Sequence, residues 1–249
     1  MNKKIVIFVY NFPHKKSLKG MQIIKSHGLE NIHVVASPKV KLNFSQSKNR
    51  ISIREEEFIN PIDISNQYGW ESVVAPHNSE DALNYYKEIK PDVGVILGAR
   101  ILSKNVISSF SEGIFNFHPG LLPENRGLDN LKWAIYKNLP QGVTTHLIDE
   151  NIDVGKKVIK QLIEVFPDDS IFDINSKLFD LQMNHLNKII LTNFQVSNPS
   201  SLISEHKSQK SVSDDIDDAV LNQFETYKTN YKNLMMSYLD RENPNSHLH

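Results

Sequence analysis

Asn116 and His118, with a carboxylate from Asp149 or Asp153, are the side chains in this sequence best suited to acid/base work. Asn116 and His118 stand two apart at the end of the apolar run Gly113-Ile114-Phe115, which Pro119-Gly120 stops at once. Side chains two apart on a strand share a face, so the carboxamide and the imidazole aim at one point. A second stretch, Val143-Thr144-Thr145-His146-Leu147-Ile148, reads as another strand and runs into the acidic loop Asp149 to Asp153 before Gly155. A carboxamide, an imidazole and a carboxylate at neighbouring strand ends form an acid/base site. The carboxamide can donate a hydrogen bond, an imidazole ordinarily titrates near neutrality, and the carboxylate can orient the imidazole or pass a proton through water. His146, in mid-strand, reads as a buried, hydrogen-bonded neighbour of the site rather than a participant.

The elements around these residues alternate between strand and helix. Ile5 to Val9 is a short apolar run of the kind buried on both faces of a parallel sheet, and Ile32 to Ala36, Trp70 to Ala75 and Val93 to Leu97 read as further strands. Helices are expected near 17–27, ended by Gly28, near 62–68, after Ser79, over 103–110, over 129–137 and over 171–191. Val158 to Val165 reads as a further strand, and the fold class is α/β, a Rossmann-like doubly wound and mostly parallel sheet. The turn after the first strand, Asn11 to Lys16, contains no glycine, so a backbone phosphate cradle of the usual kind is absent, and Lys15 and Lys16 read as a solvated helix start. Residues 38–60 read as a polar surface loop or insertion. His185 reads as a core-edge residue of its helix.

A catalytic domain over 1–196 would be followed by a linker and C-terminal helical extension over 197–249. In that extension Val220, Phe224, Tyr227, Tyr231, Leu234 and Tyr238 alternate spacings of four and three, which marks an amphipathic helix. Its aromatic stripe suits packing on the domain or on a partner subunit, hence the expectation of a homodimer.

Bulk properties exclude several classes. With 28 basic and 29 acidic residues, overall charge gives no attraction to a nucleic-acid backbone. Zero cysteines rule out disulfides, thiolate catalysis and zinc–cysteine centres. No run approaches a membrane span, and the opening Met1 to Tyr10 reads as a first strand rather than a signal peptide, so a cytoplasmic protein is expected.

Residues 91–160 resemble the formyltransferase family that uses 10-formyltetrahydrofolate. Its pattern stands here as Asn116, His118-Pro119-Gly120-Leu121-Leu122-Pro123, Arg126-Gly127, Gly142-Val143-Thr144 with His146, and Asp149-Glu150 with Ile152, Asp153 and Gly155. The resemblance implies Asn116, His118 and Asp153 as the catalytic set, with Asp153 rather than Asp149 as the acid. It implies that Arg100, Ile101, Leu102, Ile148 and Asp149 enclose the folate. Asn78, at a strand end, and Arg126 are the candidate acceptor contacts. No metal is implied, because His118, His146 and Asp153 have organic roles.

The acceptor amine is less legible. Family members acting on initiator tRNA carry a further C-terminal domain, and here the final helix opens with Asp214, Asp215, Asp217 and Asp218, which argues against RNA. Members acting on glycinamide ribonucleotide use a Gly-rich turn after the first strand. The expectation is therefore an N-formyltransferase acting on a nucleotide-linked amino sugar, for surface polysaccharide (O-antigen, lipopolysaccharide) synthesis. The alternatives are phosphoribosylglycinamide formyltransferase of purine synthesis and a non-catalytic folate-binding protein.

Overall fold

The computed structural model describes residues 3–40, 58–150, 155–197, 199–202 and 207–242. Eight strands form one sheet: β1 (Ile5–Tyr10), β2 (Ile32–Ser37), β3 (Glu71–Val74), β4 (Val93–Ile96), β5 (Gly113–His118), β6 (Gly142–Leu147), β7 (Gly155–Leu162) and β8 (Ser200–Leu202). The helices are α1 (Lys15–Ser26), α2 (Pro61–Tyr68), α3 (Glu80–Ile89), α4 (Lys104–Ile107), α5 (Asn130–Tyr136), α6 (Ile171–Leu191) and α7 (Asp214–Glu242). The strand order is β3-β2-β1-β4-β5-β6-β7-β8. β3 through β5 run parallel, while β6, β7 and β8 each pair antiparallel with the strand before. The α/β doubly wound class holds.

β1, β2 and β4 are buried on both faces because helices cover both sides. On one side Met21 and Ile24 of α1, Ile64 of α2 and Leu186 and Ile189 of α6 pack on Ile7, Val9, Phe115 and Phe117. On the other, Ala82, Tyr86 and Ile89 of α3 and Val106 of α4 pack on Val6, Phe8 and Ile114. A third cluster joins α5, α6 and α7 over Val143 and Ile163.

Local chemistry sets the helix starts. Ser79 caps α3 by accepting from Ala82 N, Asn60 caps α2 by accepting from Ile62 N, and Ser170 and Asp173 form a reciprocal capping box on α6.

The C-terminal part, expected as a linker and helical appendage, is tied closely to the rest of the chain. Residues 200–202 add the eighth strand, and Gln209 exchanges backbone hydrogen bonds with the 126–128 loop through Arg126 O and Leu128 N. Gly127 makes that contact with φ +100°, where a Cβ would overlap the Gln209 carbonyl oxygen. α7 is 29 residues long, and its stripe of Val220, Phe224, Tyr227, Tyr231 and Tyr238 is buried against this chain's own core. Tyr227 Oη donates to Leu139 O at 2.8 Å and Tyr231 Oη to Ile163 O at 2.9 Å. Lys132 and Asp217 form a buried ion pair at 2.5 Å. The stripe that suggested a homodimer is thus occupied within the chain, and the dimer loses its argument.

Most of the 38–60 insertion lies outside the described residues. No helix among those described is long and apolar enough to cross a membrane.

Candidate active site

β5 presents Ile114, Asn116 and His118 toward the α3/α4 side, while Phe115 and Phe117 point into the opposite core. Asn116 is half-buried and His118 is 3 % exposed. The register pairs Asn116 with His146 on β6, and Asn116 Nδ2 lies 3.1 Å from His146 Nε2. A carboxamide nitrogen only donates, so His146 accepts at Nε2 and carries its proton at Nδ1. The rings of His118 and His146 stand 6.5 Å apart and nearly perpendicular. His146, read from the sequence as a buried, hydrogen-bonded neighbour of the site, is the direct partner of Asn116. Its sequence signal was parity: His146 falls on the same face as Ile148, the next position in step.

His118 Nε2 donates to Asn125 O at 2.7 Å, so the ring carries a proton at Nε2. A backbone carbonyl thus orients the imidazole, a role that residue types could not reveal. Gly120 makes room for it: a Cβ there would stand 2.7 Å from Asn125 O and 2.9 Å from His118 Nε2. Thr144 ties the loop down, donating to Gly120 O and accepting from Leu122 N.

The expected juxtaposition of strand ends is corrected by the direction of β6. Because β6 runs antiparallel to β5, its end lies beside the beginning of β5, and Ile148 N donates to Ile114 O. Asn116, His118 and His146 meet on a face of the sheet instead. Asp153 lies outside the described residues.

Of the residues expected to hold folate, Leu102 and Ile148 fall on the same face. Leu102 and Ile114 are buried together, with Ile148 packed against them and Val106 and Phe110 alongside. Ile101, immediately before Leu102, is 62 % exposed. Arg100 is exposed and donates to Val40 O, and Asp149 is half-buried beyond Ile148. Both ends of the Asn78 carboxamide bond the 101–103 loop. Arg126 is half-buried on the loop beyond β5, with its carbonyl accepting from Gln209 N.

The β1–α1 turn also departs from expectation. Lys16 is not solvated; it is half-buried and donates to Phe117 O, between Asn116 and His118, at 2.9 Å. Burial pushes its pKa down to about 8. Burial, with the Lys16 charge beside it, pushes His14 down to about 4. Tyr10 and Phe12 stack at 4.9 Å with their rings 7° from parallel, and Tyr10 Oη donates to Ala99 O. Nearby His77 is a structural pin, with Nε2 shared between Val9 O and Val35 O.

Residues 3–190 match the family described as formyl transferase. The chain belongs to the formyl transferase family. Enzymes of this family take the formyl group from 10-formyltetrahydrofolate. The chain is 25 % identical over 174 residues to the methionyl-tRNA formyltransferase of Alkaliphilus oremlandii, covering 68 % of this chain and 53 % of that protein. It is 32 % identical over 101 residues to the phosphoribosylglycinamide formyltransferase of Haemophilus influenzae, covering 39 % and 48 %. The chain thus spans about half the length of these curated relatives. A sugar N-formyltransferase from a Shewanella species superposes with TM-score 0.56 at 18 % identity, over 82 % of this chain and 75 % of that one, which supports the shared fold.

The formyl transferase site accommodates the family's donor on structural grounds. Exposed Ile101 beside buried Leu102 and half-buried Ile148 offers an apolar face to a flat ring system, and Ile114 joins that face to Asn116 two residues on. Among the described residues no group of three or more His, Cys, Asp or Glu side chains is arranged to hold a metal ion.

Proposed function

We propose that this chain is an N-formyltransferase that moves the formyl group of 10-formyltetrahydrofolate to the primary amine of a nucleotide-linked amino sugar, for surface polysaccharide synthesis. The observation that carries the chemistry is the Asn116–His146 pair beside His118, adjoining the apolar face of Leu102, Ile114 and Ile148. The donor supplies an activated formyl group. The amine nitrogen bonds to the formyl carbon, the bond from that carbon to the folate nitrogen breaks, and a proton passes from amine to folate nitrogen.

This chain's residues divide the work. Asn116, held by His146 through one N–H, keeps its other N–H for the formyl oxygen as negative charge develops, a contact worth about 3 kcal/mol at a comparable site. His118, fixed through Nε2 on the Asn125 carbonyl, takes or gives the proton. Asp153 is the proposed carboxylate for proton transfer. Arg100, Ile101, Leu102, Ile148 and Asp149 are the proposed donor-binding residues, and Arg126 is a proposed acceptor contact.

The choice of acceptor rests on the β1–α1 turn. The stacked Tyr10 and Phe12, Lys39 with Nζ 5.9 Å from the Phe12 ring centre, and Lys16 offer aromatic faces and cations in place of glycine backbone. That chemistry suits a nucleoside diphosphate, with a base to stack and phosphates to pair.

An amine screen tests the proposal: release of tetrahydrofolate from 10-formyltetrahydrofolate, measured against glycinamide ribonucleotide and a panel of nucleotide-linked 3- and 4-amino sugars. Turnover with a sugar is expected. Turnover only with glycinamide ribonucleotide would make the protein an enzyme of purine synthesis. His118→Ala should retain donor binding and lose turnover, and undiminished turnover would refute the assignment.

A further inference from the structure

Asn78 stands in the turn between β3 and α3, and both ends of its side chain are engaged. Nδ2 donates to Ile101 O at 2.9 Å, and Oδ1 accepts from Ser103 N at 2.9 Å. The carboxamide therefore straddles Leu102, whose side chain is buried with Val106, Phe110 and Ile114. The turn carrying Asn78 is itself anchored, since Ser79 caps α3 and His77 is pinned to β1 and β2. On the near side, Tyr10 Oη holds Ala99 O at 2.9 Å. The 99–103 loop is thus fastened by side chains from two separate elements, while Ile101 projects into solvent.

We propose that Asn78 is a positioning residue for the formyl donor: it sets the backbone of the Ile101–Ser103 loop against which the folate ring packs, and it makes no contact with the amine acceptor. The proposal rests on reading this loop as part of the donor site. Its chemical requirement is specific. The loop presents a carbonyl and an N–H two residues apart, and a carboxamide matches both with one donor and one acceptor. An aspartate keeps the acceptor for Ser103 N but sets a carboxylate oxygen against Ile101 O. An alanine loses both bonds. Because Asn78 is exposed and lies in a surface turn, either change leaves the core intact.

The test compares wild type, Asn78→Ala and Asn78→Asp by three readouts. These are hydrogen exchange at the Ser103 amide in the ligand-free protein, titration with tetrahydrofolate, and steady-state kinetics with the acceptor found in the amine screen. In Asn78→Ala the Ser103 amide should exchange faster, and the tetrahydrofolate Kd and donor KM should rise about three- to tenfold, the range expected for two solvent-facing hydrogen bonds. The acceptor KM and kcat should stay within about twofold of wild type. Asn78→Asp should keep Ser103 protected and still bind the donor more weakly, which separates the Ile101 contact from the Ser103 contact.

A rise confined to the acceptor KM would overturn the proposal and make Asn78 an acceptor contact. Unchanged Ser103 exchange in Asn78→Ala would overturn the clamp itself. Faster exchange with unchanged donor affinity would separate this loop from donor binding and overturn the positioning role. Failure of the wild type to bind tetrahydrofolate would instead bring down the donor-site reading, while the exchange result would still judge the clamp.

Discussion

His185 should make the fold sensitive to mild acid. It lies on α6 with no exposed surface, its Nδ1 2.9 Å from Thr145 Oγ1, and its Nε2 has no partner among the described residues. Burial, reinforced by the Lys188 charge, pushes its pKa from 6.5 down to about 4. The folded pKa is below the unfolded one, so below pH 6.5 the unfolded chain binds the proton and the folded chain does not. Stability from this group is fully present above 6.5 and is lost as pH falls toward 4. A difference of about 2.5 pKa units corresponds to about 3 kcal/mol in full, of which about 2 kcal/mol is lost between roughly pH 7.5 and pH 5.

His14, held down to about 4, and the lowered His33 and His77 act with the same sign, so the wild-type slope is a sum. His185→Leu isolates one contribution. It removes the titration and forfeits the Thr145 bond, a loss independent of pH and worth about 1 kcal/mol. Urea unfolding followed by circular dichroism, on both proteins at several pH values across this range, gives the difference directly. The stability advantage of wild type over variant should shrink by about 2 kcal/mol from neutral to acid. Parallel curves, with the difference constant across that range, would refute the reasoning.

Three further outcomes follow from other contacts. His146→Ala, which leaves Asn116 without its anchor, should lower kcat about tenfold or more with donor affinity retained, and His146→Gln should recover part of it by supplying a neutral acceptor; kcat within twofold of wild type in the alanine variant would remove His146 from the site's machinery. Gly127→Ala forces a Cβ into the Gln209 backbone at φ +100° and should cost about 2 kcal/mol or more, visible as a lower Tm and faster proteolysis near 209. Asp217→Ala leaves the Lys132 ammonium buried without its 2.5 Å partner and should destabilise by about 3 kcal/mol in chemical denaturation, with Lys132→Met in the same background recovering much of the loss.

The parts of this fold that could be read from the sequence are those where one residue reports one local constraint. The buried parallel strands show as unbroken β-branched runs, and α6 emerges over 171–191 because its cap and apolar spacing agree. The misreadings share a different cause: each depended on what a distant segment does. Ser200–Leu202 is a strand only because β7 offers an unpaired edge, and nothing in Ser-Ser-Leu announces it. Lys16 looks like a solvated helix start until the end of β5 supplies the Phe117 carbonyl. The α7 stripe was recognisable as a packing face, but the sequence could not say whether its partner was this chain or another copy.

The direction of β6 matters most for function. Strand periodicity is the same whichever way a strand runs, so Asn116 and His146 could each be placed on a face but not paired with each other. The antiparallel register brings Asn116 opposite His146 and sends Ile148 and Asp149 toward the start of β5 and the 101–103 loop. One reversal of direction thus sends Ile148 and Asp149 to the apolar side where the donor is proposed to sit. It also leaves the tip of β5 facing Lys16 and the aromatic β1–α1 turn. In the proposed assignment donor and acceptor would reach Asn116 and His118 from opposite ends of the same strand, which would let the amine meet the face of the formyl carbon there.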